Sequence, residues 1–116
     1  QLGAYTDCNH GQGLAVLHPV YYRHIYQSAV PKFARFARSV WGISEPDDER
    51  AAQAGIRALA EFIVECGLPT KLSQLHAKAK MTPELLRQVA DSCNLLPNGY
   101  RQLTHDEVYN IFMECL

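Results

Sequence analysis

No hydrophobic run in this chain approaches the roughly 20 residues of a membrane-spanning helix. There is no basic block either. Formal net charge is −1, which argues against nucleic acid or an anionic membrane surface as the main partner. The four cysteines, Cys8, Cys66, Cys93 and Cys115, include no C-x-x-C pair, so a zinc finger or a thioredoxin-like motif is excluded. The five histidines, His10, His18, His24, His76 and His105, include no H-x-x-x-H pair that would set two imidazoles on one helix face. His18 and His24 fall about 120° apart around a helix. G-x-S-x-G is missing. Gly11-Gln12-Gly13 lacks a preceding strand and the third glycine of a dinucleotide loop, and Val16 stands where that glycine would be. No segment shows strand-like alternation, and none repeats another.

What is present is apolar and helical. Hydrophobic residues make up 47% of the 116, enough for one domain with a real core. Three cysteines, Cys66, Cys93 and Cys115, fall on apolar helix faces and read as small buried hydrophobes of a reducing compartment. Residues 11–29 form a largely helical segment, with a kink or restart expected at Pro19, which lacks an N–H and crowds the preceding turn. Pro31 opens a helix whose inner face is Phe33, Phe36, Ala37, Val40 and Trp41, with Lys32, Arg35 and Arg38 opposite, and Gly42 ends it. A longer helix over residues 48–66 carries the stripe Ala52, Gly55, Ile56, Leu59, Phe62, Ile63 and Cys66. Gly67 and Pro69 stop it. Residues 70–80 are irregular, anchored by Leu72 and Leu75. Thr82-Pro83 starts a helix, Pro97-Asn98-Gly99 is a turn, and Thr104-x-x-Glu107 is a capping box for a last helix that buries Val108, Ile111, Phe112 and Cys115. The fold class is all-α, a helical bundle of five or six helices.

The chain is organised around residues 5–19, where His10, Gly11 and Gly13 precede the apolar run Leu14-Ala15-Val16-Leu17. A neutral imidazole can bind a metal, and glycines let a backbone, metal or ligand approach closely. Taken alone, a histidine beside glycines reads first as a helix-start residue. Asp7, three residues before it, reads equally as a turn residue or as a partner orienting the ring. Asp47, Asp48 and Glu49 read as a solvated helix N-terminus rather than an acidic metal loop. His76 and His105 read as solvated. Trp41 reads as core, whereas Tyr5 and Tyr22 are open between core and a substrate pocket.

The stretch His10-Gly11 through Leu14-Ala15, Leu17 and Pro19 resembles the HG-x-G-L-A-x-L-x-P segment of the iron-containing (group III) alcohol dehydrogenases, in their butanol-dehydrogenase-like branch. Tyr21-Tyr22-Arg23, Pro31-Lys32-Phe33-Ala34, Val40-Trp41-Gly42, residues 67–72 and residues 103–109 are similar to that family's C-terminal domain, so the likeness covers nearly the whole chain. It implies the helical C-terminal domain of a dehydroquinate-synthase-like fold over residues 1–116. It also implies an N-terminal domain, outside this sequence, that binds NAD or NADP. In the family an aspartate and three histidines hold one catalytic metal. The last histidine of the set matches His10, and the other ligands precede it, as does a further histidine near the substrate. The resemblance therefore implies iron, with zinc or another divalent ion as the alternative, and a short alcohol or its aldehyde as substrate. It implies a cytoplasmic enzyme, with a homo-oligomer allowed. The chain alone is expected to be inactive and to hold neither metal nor cofactor tightly. Its opening at Gln1 rather than Met is read as a start inside a longer protein. The competing reading is an autonomous helical interaction module without catalysis.

Overall fold

The computed structural model describes all 116 residues. Six α-helices and no strand make up the fold: α1 (Leu2–Thr6), α2 (His10–Ile25), α3 (Val30–Trp41), α4 (Asp48–Glu65), α5 (Pro83–Asp91) and α6 (His105–Cys115). Short 3-10 turns occupy Tyr26–Ser28 and Leu72–Gln74. No helix is long and apolar enough to cross a membrane.

The caps explain where the helices start. Asn9 accepts from the Gln12 N–H at 3.0 Å, Asp47 from Arg50 N–H at 2.9 Å and Thr82 from Leu85 N–H at 3.2 Å. Each satisfies an N–H that has no partner within its own helix. Thr104 and Glu107 form the reciprocal pair, each accepting from the other's backbone N–H at 3.1 Å. Gly42 and Gly67 leave α3 and α4 with φ of 66° and 70°, a region open to glycine without a Cβ penalty.

Two apolar clusters lie side by side, and α2 belongs to both. Through Val16 and Val20 it joins Leu2, Leu72, Leu75, Leu86, Val89, Ile111, Phe112 and Cys115. Its end, Ile25, joins Tyr26, Phe33, Ala52 and Ile56. Tyr21 packs against both clusters. Helix α2 runs unbroken through Pro19, so the expected restart does not occur. The ring is buried in the helix interface, and tertiary packing on both sides outweighs one missing helical hydrogen bond.

Helices α3 and α4 cross at small residues. A Cβ on Gly55 would stand 2.6 Å from the Cβ of Ala37 and 2.9 Å from its Cα, so only glycine allows this approach. Ala34, Ala37 and Ala51 are fully buried around the crossing. Arg38, assigned from sequence to the solvent side, instead folds the α3–α4 connection. Its guanidinium donates to the carbonyls of Glu45 at 2.8 Å and Pro46 at 3.0 Å and pairs with Asp48 at 2.8 Å.

Several residues expected to be buried are not. Val40 is 60% exposed and Phe62 48% exposed, and Cys66 lies on the surface just beyond α4. Periodicity places all three on the inner stripe, but the partner helix does not reach them. Trp41 is half-buried against Phe36 and Phe62, and its indole N–H is buried with no acceptor.

Candidate metal-ligand site

The corner between α1 and α2 sets the position of His10. Asp7 ends α1 in the left-handed region at φ 55°, with its N–H donating to the Gly3 carbonyl at 2.8 Å. The chain is then tied to the 70–80 segment. Lys78 N–H donates to the Thr6 carbonyl at 2.8 Å, and Lys78 Nζ pairs with the Asp7 carboxylate at 2.5 Å. Asp7 is thus a turn residue partnered by lysine. Thr6, the one buried polar side chain, returns its hydroxyl to the Leu2 carbonyl at 2.7 Å. Asn9 then caps α2, and His10 is its first residue, with an exposed ring.

Beside His10 lies a small cleft of about 250 Å³, walled by Leu2, Cys8, Leu14, Leu17, Cys93 and Phe112. Gly13 lines it too, but a Cβ there would meet only Cys8 Sγ at 3.8 Å and Leu2 Cδ2 at 3.9 Å. That is ordinary contact, so Gly13 is not needed for close approach. The close-approach glycine of this fold is Gly55, which the sequence reading placed only in an apolar stripe. The run after His10 is also less buried than expected. Val16 is fully enclosed, Leu17 is half-buried and Leu14 is exposed along the cleft.

The other histidines are occupied elsewhere. His24 Nε2 stands 2.8 Å from Glu114 Oε1, joining the end of α2 to α6. His18 stacks on Tyr22 at 5.4 Å. His76 is exposed, as expected. His105 is not merely solvated: its Nε2 lies 2.9 Å from the Cys93 carbonyl, and because a carbonyl only accepts, that nitrogen carries the proton. Asp47 caps α4, Asp48 pairs with Arg38, and Glu49 accepts from the Tyr26 hydroxyl at 3.4 Å. All three acidic residues therefore serve the start of α4. Burial pushes the Cys93 thiol above its ordinary value and that of Cys115 up to about 11, with Glu114 adding to the second shift. Neither thiol is a thiolate ligand at neutral pH.

No group of three or more His, Cys, Asp and Glu side chains could hold a metal ion within the chain. A catalytic site needs about three protein ligands and an open position. His10 fits such a site as a single donor: it is exposed, fixed at a capped helix start, and set against a cleft. The remaining donors would have to come from outside these residues.

The six-helix fold is the arrangement that comparison with known proteins finds again. The model of the C-terminal part of the Fe-containing alcohol dehydrogenase family matches residues 1–116, and the chain belongs to that family. It is 27% identical over 114 residues to NADH-dependent butanol dehydrogenase A of Clostridium acetobutylicum, covering 97% of this chain and 29% of that protein. Against an NADPH-dependent aldehyde reductase of Escherichia coli it is 29% identical over 91 residues, covering 78% and 24%. The crystal structure of an NADH-dependent butanol dehydrogenase A from Thermotoga maritima superimposes with a TM-score of 0.79 at 26% identity, over 98% of this chain and 30% of that one. The chain therefore spans less than a third of the relatives that it matches. Both the family and the all-helical fold expected from sequence hold.

Proposed function

We propose that residues 1–116 are the helical metal-site domain of a metal-dependent, NAD(P)-linked alcohol dehydrogenase that interconverts an alcohol and its aldehyde or ketone. The full match to the family's C-terminal part supports this reading. So do the relatives, described as NADH-dependent butanol dehydrogenases and an NADPH-dependent aldehyde reductase. The single structural observation that carries the site is His10, exposed on the first turn of α2 with its cap formed. In the same proposal a separate cofactor-binding domain supplies the nicotinamide, and the enzyme is cytoplasmic.

Iron is the proposed metal, with zinc as the alternative. When bound, such an ion polarises the substrate oxygen as hydride passes to or from the nicotinamide. The chain's own contribution is positional. Asn9 fixes the start of α2, the Asp7–Lys78 pair fixes the corner before it, and His10 presents one neutral ring nitrogen. Leu14, Leu17 and Phe112 line the apolar cleft beside it and keep water from part of the site.

The test uses the intact protein. His10→Ala is expected to lose bound metal and to lower butyraldehyde-dependent oxidation of NAD(P)H by at least 100-fold. Metal content by elemental analysis is the direct readout. A variant that keeps both metal and turnover would return His10 to a helix-start role. The 116-residue chain by itself is expected to reduce no aldehyde.

A further inference from the structure

A second concave surface lies at the other end of α2. Tyr22 from α2, Phe33 and Phe36 from α3, and Tyr100 from the α5–α6 connection wall a cavity of about 590 Å³, with the buried Ile25 among them. That volume is within the range of small-molecule sites. The cavity shares no wall residue with the cleft beside His10. Tyr22 stands about 18 Å along α2 from His10, at 1.5 Å per residue.

The wall is aromatic and its polar groups are uncommitted. Tyr22 and Phe33 meet edge to face with centroids 5.3 Å apart, and Phe33 and Tyr100 do so at 6.3 Å. Rings arranged in this way take a further ring by offset stacking or by an edge. The hydroxyl of Tyr26, which is outside the cavity, accepts from Gln53 at 2.8 Å. By contrast, the hydroxyls of Tyr22 and Tyr100, the Lys32 ammonium and the Asn98 amide have no partner within the chain, and all four side chains line the cavity. No aspartate or glutamate lines it. Lys32 also stands in the first turn of α3, which has neither an acidic residue nor a side-chain cap. The positive end of a helix dipole disfavours a cation there and favours an anion.

We propose that this cavity binds a small planar aromatic carboxylate, its ring against Tyr22, Phe33 and Tyr100 and its carboxylate on Lys32. A bare aromatic wall would also attract an organic cation, but Lys32 repels one and no wall carboxylate offsets that repulsion. An aliphatic acid gains only the ion pair, which is worth little at an exposed lysine, so the ring supplies most of the affinity. The site does not depend on the chemistry at His10.

The experiment is a calorimetric titration of the intact protein with 2-naphthoate. The controls are 2-naphthamide, a neutral isostere, and cyclohexanecarboxylate, an acid without the aromatic ring. One naphthoate per chain is expected, with the amide bound about threefold more weakly and the aliphatic acid about tenfold. Lys32→Met and, separately, Tyr100→Ala replace exposed side chains and leave the core intact. Lys32→Met is expected to weaken naphthoate about threefold and leave the amide unchanged. Tyr100→Ala is expected to weaken both by about tenfold. No binding of naphthoate would overturn the site. Binding that both variants leave unchanged would overturn its assignment to this cavity. Equal binding of acid and amide would contradict the role given to Lys32.

Discussion

Cys115 lies at the inner end of α6, 2% exposed, with its sulfur 3.8 Å from the Val16 carbonyl. Burial and the neighbouring Glu114 raise its pKa to about 11 from the ordinary 9.0. A group whose pKa is raised by folding contributes stability that is complete below the unfolded value and fades as pH rises toward the folded one. The urea midpoint is therefore expected to fall between pH 9 and about pH 11, and to fall less steeply in Cys115→Ala. Thiol labelling of the native protein at neutral pH should modify Cys66 first and leave Cys115 untouched until unfolding. The cysteines also show what the sequence could not reveal. Helical spacing gave Cys66 and Cys115 the same inward position, yet one is exposed because α4 outruns its neighbours.

The α3–α4 crossing depends on one missing methyl group. Gly55→Ala gains about 1 kcal/mol of helix propensity but forces contacts of 2.6 and 2.9 Å against Ala37. Overpacking of that kind costs about 1–3 kcal/mol, so a net loss in urea denaturation is expected, with Gly55→Val losing more. Helix limits were legible in the sequence, because caps, Pro31, Pro83, Gly42 and Gly67 act locally. Crossings were not, since Gly55 reads as one more apolar position until Ala37 is placed against it. Arg38 was misread for the same reason. Its partners are backbone carbonyls of Glu45 and Pro46, which leave no trace in side-chain pattern. At the candidate site, the family motif singled out His10, whereas the cleft beside it required Cys93 and Phe112 to be folded onto α2.

The molecule is a slab, 44 × 33 × 18 Å. A helix with its side chains is about 10 Å across, so the slab is two helices thick and no helix is covered all round. That accounts for Val40, Phe62 and Val64 at 60%, 48% and 61% exposure. Apolar residues left open in this way mark surfaces that associate. Sedimentation of the isolated chain is expected to show concentration-dependent self-association, reduced by Phe62→Lys. A clean monomer at high concentration would contradict it. This surface was not legible in the sequence, because Val40 and Phe62 lie on faces that periodicity counts as interior.

The α3–α4 contacts and the α2–α6 contacts differ in how far apart their partners lie along the chain. Arg38 meets Asp48, and Gly55 meets Ala37, across 10 and 18 positions. His24 reaches Glu114 across 90, and Cys115 reaches Val16 across 99. Closing short loops is faster than closing long ones, so the α3–α4 pair is expected to assemble first and the α2–α6 side last. Pulse-labelled amides should gain protection in that order. Simultaneous protection throughout would contradict it. The helix that carries His10 would then acquire its final setting only when the last helix docks, which makes the candidate site the slowest part of the chain to mature.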